Sequence, residues 1–207
     1  MRRSFLKLFA GLLLACIAGP RDPHAMPVIA ETSARASQNP ADDFPACHAP
    51  FAELLSSRTF AAYPAALPPR RMPPAAPDVS RGQAHLYSTA IRLGAREGPN
   101  FAGHYTLIRI GCGAATTCIA IVDALTGKVV FPAQLRSVSA MLVDTGDAEV
   151  DTLNVRRDSN LIVAIGTVNE RPNGFGLYHF VWSGGRLHQR KFVPAARLCG
   201  LPATTRF

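Results

Sequence analysis

Short β-branched segments separated by turn residues fill the chain from residue 104 onward, and this pattern most constrains the fold. One break, DALTGK, contains Gly127, a residue suited to a left-handed turn position. Strands at this spacing predict an all-β, mainly antiparallel domain, either a sandwich or a propeller-like β-meander. The segments are HYTLIRIG, CIAIVD, KVVF, LRSVSAMLV, EVDTLNV, NLIVAIGTV, GLYHFVW and RLHQRKF.

The chain before residue 81 has a different texture. Residues 31–46 are small and polar and predict a flexible leader, whereas 47–60 predict a short helix with Pro50 in its first turn. Residues 63–79 hold six prolines and predict an extended strap over the domain surface. Residues 84–98 fit a helix and a strand equally well. The predicted division is 1–30 export signal, 31–80 leader, short helix and Pro-rich strap, and 81–207 β-domain.

The first twenty residues, MRRSFLKLFAGLLLACIAGP, have the layout of an export signal. The apolar run from Leu8 to Ala18 is shorter than the roughly 20 residues that span a bilayer. The string RRSFLK also resembles a twin-arginine signal, and LLAC resembles a lipid-attachment box at Cys16. We therefore expect a periplasmic or secreted protein, which contacts the membrane only if it is lipid-anchored at Cys16.

The charge distribution argues against a nucleic-acid partner. The chain of 207 residues has 22 Lys and Arg against 14 Asp and Glu, a formal net charge of +8. The predicted signal contributes three of these charges, which leaves a net charge of +5, and the remaining charges are scattered. No block rich in Lys and Arg, of the kind that marks a nucleic-acid patch, is present in the sequence.

Four cysteines follow the predicted signal: Cys47, Cys112, Cys118 and Cys199. An even number in an exported chain favours disulfides, because the compartment is oxidising. Cys112 and Cys118 enclose only GAATT, and neighbouring antiparallel strands would bring them within disulfide distance. We therefore predict the pairs Cys112–Cys118 and Cys47–Cys199, and three pairings are possible in principle.

A cysteine hydrolase is the sharper alternative. His104, Cys112 and Asp123 are the residue types of a thiolate–imidazole pair with an orienting carboxylate. Their spacing matches no such family, and Cys118 would tend to oxidise a free thiolate. The histidines are dispersed and the acidic stretch 144–151 is interpreted as a solvated loop, so the sequence predicts neither a metal site nor a cofactor.

The segment GPNFAGHY, residues 98–105, precedes the first clear strand. It contains the candidate binding residues Asn100, Phe101, His104 and Tyr105. Such a segment is either a structural corner, with Asn100 bonded to nearby backbone, or a binding loop on a rigid sheet.

The stretch GPNFAGHYTLIRIGCGAATTCIAIVDALTGKVVFP is similar to a set of uncharacterised exported bacterial proteins. These share an NFAGHY segment, a GCG…C hairpin and an IVD…TGK turn, and the resemblance covers roughly 82–192. It implies a common exported β-domain and carries over no catalytic residue. The strand texture also resembles β-propeller blades and exported lysozyme-inhibitor domains, as a fold-level analogy.

These observations predict an exported, non-catalytic binding module of the bacterial envelope. An inhibitor or immunity-type role, with an envelope protein or glycan as partner, is its most specific version. The alternative is an envelope hydrolase with a site near residues 98–123.

Overall fold

The computed structural model describes residues 46–68, 73–140, 145, 150–172 and 174–200. The predicted export signal, including Cys16, and the leader lie outside these residues, except for Ala46. Most of the acidic stretch 144–151 lies outside them as well.

The described residues form five short α-helices beside the strands. The predicted helix over 47–60 is divided into two, and Pro50 is the N-cap of the first of them, not a residue of its first turn. The ambiguous stretch 84–98 is mainly helical, because Ile91 and Ala95, one turn apart, both pack onto the sheet. The helices are α1 (Phe51–Leu54), α2 (Ser57–Ala61), α3 (Gly82–Leu86), α4 (Ser88–Arg96) and α5 (Ala195–Leu198), and a 3₁₀ turn covers Ala133–Leu135.

In the part of the chain that the structure describes, eight strands form one antiparallel sheet that is not closed, which confirms the all-β, mainly antiparallel prediction. The order is β1-β2-β4-β6-β7-β8, with β3 paired to β2 and β5 paired to β6. The edge strands of this order are β1 and β8, while β3 and β5 have one partner strand each. The strands are β1 (Tyr105–Gly113), β2 (Thr116–Asp123), β3 (Val129–Val130), β4 (Ser137–Ser139), β5 (Leu153–Val155), β6 (Leu161–Val168), β7 (Phe175–Ser183) and β8 (Arg186–Pro194).

The main core lies on one face of this sheet and includes Leu107, Ile121, Phe180 and other buried side chains from β1 to β8. The sheet curls around it. Tyr105 and Trp182 lie on strands that are not neighbours, yet their ring centroids are 5.2 Å apart in an edge-to-face arrangement. Curling buries this face without a second sheet.

Two smaller clusters cover the opposite face. Phe51 and Phe60 pack on β6 and β7, whereas Ile91 and Ala95 of α4 pack on β1 and β2. Gly94 allows α4 to approach closely, because a Cβ there would lie only 3.0 Å from the side chain of Ile108. Helices thus cover both halves of the outer face.

The Pro-rich segment is hydrogen-bonded across the surface of the domain. The Ala65 N–H donates to the Asp158 carbonyl at 2.9 Å, and the Ala75 N–H donates to the Ala124 carbonyl at 2.7 Å. The Asp78 N–H donates to Gly127, whose φ of +76° suits glycine. The helix and strap that the sequence separates from the β-domain at residue 80 therefore pack on the same sheet.

Two disulfides connect the predicted pairs, Cys47–Cys199 and Cys112–Cys118. The first joins residues 152 positions apart and belongs to the cluster beneath β6 and β7. The second connects β1 and β2 near the tip of their hairpin. Within the described part of the chain, no helix is long and apolar enough to cross a membrane.

Candidate functional site

Asn100 closes part of the free edge of β1. Its Nδ2 donates to the Leu107 carbonyl at 3.0 Å, and its Oδ1 accepts from the Leu107 N–H at 2.8 Å. One side-chain amide thus replaces the two bonds that a neighbouring strand would form. These two bonds to backbone are what the structural interpretation of Asn100 predicts.

A tight turn positions the other residues of the corner, the segment 98–105. The Phe101 and Tyr105 main chains bond to each other at 3.0 Å in both directions, and Ala102 and Gly103 between them have positive φ. The Gly103 N–H donates to the Arg157 carbonyl at 2.7 Å, and Arg157 Nε donates back to the Gly103 carbonyl at 3.0 Å. This exchange fixes the corner to the segment after β5.

Phe101 is fully buried and packs edge-to-face on Trp182, with ring centroids 6.3 Å apart. Tyr105 is half-buried between Trp182 and His104, whose ring centroid is 4.2 Å away. Of the four candidate binding residues, Phe101 is therefore a core residue, whereas His104 and Tyr105 reach the surface.

His104 and Asp123 form the one polar pair at the corner that resembles a catalytic arrangement. His104 Nε2 lies 3.7 Å from Asp123 Oδ1, and their side chains are 27% and 19% exposed. The carboxylate also caps the β2–β3 turn, since it accepts from the Leu125 N–H at 2.9 Å and from Thr126 Oγ1 at 2.8 Å. Asp123 thus has a structural task of its own.

The structure does not bring Cys112 to this pair. His104 directly precedes β1, and Asp123 lies opposite Tyr105, whereas Cys112 is close to the other end of the strand. Eight residues of extended chain put roughly 25 Å between His104 and Cys112. The Cys112 sulfur is also bonded to Cys118. A triad of His104, Cys112 and Asp123 is therefore incompatible with this fold.

Two surface depressions lie on either side of Asn100. The first, of about 390 Å³, lies beside the segment after β5 and is lined by Leu67, Asn100, Val155, Arg156, Arg157 and Asp158. The second, of about 360 Å³, lies between α4 and the free edge of β1. It is lined by Ala90, Leu93, Gly94, Glu97, Asn100, Leu107, Ile108 and Arg109.

The charged groups of the first depression are paired. Arg156 donates to both carboxylate oxygens of Asp158, from Nε and from an Nη, at 3.0 Å each. This bond lowers the pKa of Asp158 and raises that of Arg156. Arg156 also lies over the ring of Phe60, 6.0 Å from its centroid.

Sequence reasoning missed three residues of this region: Arg109, Arg157 and Trp182. An Nη of Arg109 donates to the Leu153 carbonyl at 2.6 Å, and so connects β1 to β5. Arg109 is the only charged residue in its apolar stretch, and this isolation was the available signal. The partners of Arg157 and Trp182 are distant in the sequence, which offers no local sign of them.

His179 is a buried polar residue outside the corner. It is 8% exposed, and among the described residues its Nε2 has no hydrogen-bond partner. Burial, together with the charge of Lys191 on β8, lowers the pKa of His179 below its ordinary value. On the same strand, burial raises the pKa of Tyr178, whose hydroxyl donates to the Gly174 carbonyl.

Over the described ranges, no three His, Cys, Asp or Glu side chains converge as metal ligands would. Comparison of the chain with protein-family models, with curated proteins and with solved structures gave no match. The resemblance to exported bacterial β-domains therefore stays a prediction.

Proposed function

We propose that the protein is an exported, non-catalytic binding module of the bacterial envelope, with an inhibitor or immunity-type role as the most specific version. Its partner is an envelope protein or glycan, and its compartment is the periplasm or the exterior. Two disulfides are consistent with an oxidising compartment.

The observation that carries the proposal is the rigidity of the corner. Asn100 and Arg157 are both committed to main-chain partners, and the two depressions lie on either side of this fixed frame. A preformed surface loses little conformational entropy when a partner binds. Exposed apolar groups are available there, because Leu67 and Leu93, one in each depression, are 55% and 57% exposed.

Photo-crosslinking in intact cells tests the proposal. A benzophenone amino acid replaces Leu67 or Leu93 in the full chain, and Leu86 is the matched control, because it is 79% exposed and lines neither depression. We expect discrete adducts of higher mass from position 67 or 93 and none from position 86. Protease and glycosidase digestion of the adduct then distinguishes a protein partner from a glycan. Equal labelling at all three positions, or none, contradicts the proposal.

The export route is tested separately. Replacing both Arg2 and Arg3 by Lys should abolish export if the twin-arginine pathway is used, and should leave export intact for the general secretory route. Intact mass of the exported protein reads the mature N-terminus and any lipid on Cys16.

The second candidate function is an envelope hydrolase at residues 98–123, which the His104–Asp123 pair favours. An imidazole held by a carboxylate can act as a general base. Purified peptidoglycan and nitrophenyl acetate are suitable probes, and His104→Ala should abolish any hydrolysis detected. Unchanged turnover in that variant eliminates this candidate.

A further inference from the structure

The two edge strands of the sheet differ in how their free edges are protected. The β8 edge carries Arg186, Arg190 and Lys191, and its pairing is interrupted by a bulge between His179 and Phe180 of β7 and their partners. Charges and bulges are the usual devices that prevent another strand from pairing with an edge. Three charges and a bulge in the middle of the strand thus protect the β8 edge, whereas β1 has one charge, Arg109, and a bulge only at its end.

On β1, by contrast, the protection stops partway along the strand. Tyr105 bonds to Phe101, and Leu107 bonds to the Asn100 amide, so the first half of the edge is occupied. Beyond Leu107, the structure shows no main-chain partner among the described residues on the free side of Arg109 or Gly111.

The orientation of these groups follows from the ladder. Ile119 lies opposite Arg109, and its N–H donates to Arg136 on the far side of β2 at 3.1 Å. The Arg109–Ile119 pair therefore exchanges no bonds within the hairpin, and the Arg109 N–H and carbonyl face outward. Gly111 follows two residues later in the same register, before a bulge between Gly111 and Gly113 ends the regular pairing.

Gly111 itself has no explanation within the fold. Its φ is not positive, and a Cβ added to it would have no atom within 4 Å. A glycine in a strand interior weakens that strand and often marks a place where another backbone approaches closely. No backbone in the described part of this fold lies that close to Gly111, so the approaching backbone would belong to another molecule.

A groove accompanies the open edge. The second depression runs between α4 and β1, with Ala90, Leu93 and Gly94 forming an apolar wall. Glu97 and Arg109 supply its charges. The Arg109 guanidinium is tethered to the Leu153 carbonyl, and the Cys112–Cys118 disulfide holds the hairpin beside it. An extended segment in this groove could therefore form main-chain hydrogen bonds with β1 and place a side chain against α4.

We propose that this groove binds an extended segment of a partner protein, which adds to β1 as a strand at Arg109 and Gly111. The inference rests on the proposed binding function and assigns its site and the class of its partner. Main-chain bonds would hold the segment, and an apolar residue of the segment would contact Leu93. Without the predicted signal the chain has 18 Lys and Arg against 13 Asp and Glu, and this net charge of +5 disfavours a second copy of the chain and favours a segment of negative charge.

Proline and alanine at position 111 form a matched pair of variants. Gly111→Pro removes the outward N–H, and proline is tolerated on an edge strand where the N–H faces solvent. Gly111→Ala keeps the N–H and fits the open space. The probe is a phage-displayed library of random dodecapeptides, selected on the oxidised protein.

We expect the selected peptides to be net acidic and to bind Gly111→Ala within twofold of the native protein. The Gly111→Pro variant should bind the same peptides at least tenfold more weakly. Hydrogen exchange at the Arg109 and Gly111 amides of the native protein should slow at least tenfold with saturating peptide, a result that does not depend on how the proline variant folds.

Three outcomes overturn the proposal. These are a selection that yields no peptide, peptides that leave both amides unprotected, and a dimer of the free protein that Gly111→Pro dissociates, since the occupant would then be a second copy. The crosslinking result separates this inference from the proposed function. If adducts at position 67 or 93 persist in the Gly111→Pro variant, the protein still binds a partner, but not by strand addition at β1.

Discussion

The side-chain amide of Asn100 and the main chain of Leu107 form two hydrogen bonds, 3.0 and 2.8 Å long, which close the first half of the β1 edge. We expect Asn100→Ala to lower the free energy of unfolding by about 2 kcal/mol, because each bond contributes about 0.5–1.5 kcal/mol. Urea denaturation measures this change. Asn154→Ala is the control, since Asn154 is half-buried and its side chain makes one hydrogen bond among the described residues, to the Asp151 carbonyl. A larger loss in the control would contradict the role assigned to Asn100.

The strap is held where it crosses Gly127, and this contact predicts an unequal response of two glycines. Gly127 and Gly184 have φ of +76° and +59°, but a Cβ at Gly127 would collide with the Ala76 carbonyl, whereas one at Gly184 meets nothing within 4 Å. In both alanine variants the left-handed backbone conformation lowers the free energy of unfolding by about 1–2 kcal/mol. The free energy of unfolding should fall further only in Gly127→Ala, because the added Cβ displaces the strap. The displaced strap should then become sensitive to limited proteolysis. Equal decreases in the stability of the two variants, measured by thermal unfolding, would show that the strap moves away from Gly127 without cost.

The two disulfides should differ in what they contribute to stability. The Cys47–Cys199 bond closes a loop of 152 positions, whereas Cys112–Cys118 closes one of 6. In the chain-entropy model, replacing both cysteines by serine then costs about 4–5 kcal/mol for the long loop and about 2 kcal/mol for the short one. Denaturant unfolding of the two double variants measures the order. Thiol alkylation before reduction should label neither pair in the native protein.

Burial of His179 predicts a pH dependence of stability. Its folded-state pKa is depressed, so the unfolded chain takes up a proton first as the pH falls below the ordinary value of about 6.5. The stability gained from the neutral imidazole is present above that pH and is lost progressively as the pH falls through the folded-state pKa.

His179→Gln should flatten the dependence of the unfolding free energy on pH as the pH falls below about 6.5. His188→Gln, on the exposed strand β8, is the control and should keep the native slope. A native protein whose stability does not fall over this range would contradict the prediction.

Much of the fold was predictable, because its signals are local. Period-two patterns and turn glycines indicated the strands, and the short GAATT spacing indicated the Cys112–Cys118 clip. Residues 84–98 were not predictable, because their pattern fits both a helix and a strand. What selects the helix is the contact of Ile91 and Ala95 with β1 and β2.

The candidate site was predictable only in part. The sequence identified the corner around Asn100 and offered a structural interpretation for it. It also combined His104 and Cys112 in one hypothetical triad, which the length of β1 makes impossible. Residue types can suggest a catalytic set, but only the register of the strands decides whether the atoms meet.

The sequence by itself determined the strand-forming segments, the turn positions and the short Cys112–Cys118 clip, since these depend on neighbours along the chain. The tertiary structure decided that Tyr105 contacts Trp182, that Arg157 bonds to Gly103, and that Arg109 and Gly111 have no main-chain partner on the free side of β1 among the described residues. These features depend on the curl and pairing order of the sheet. Because they join segments far apart in the chain, no local pattern encodes them.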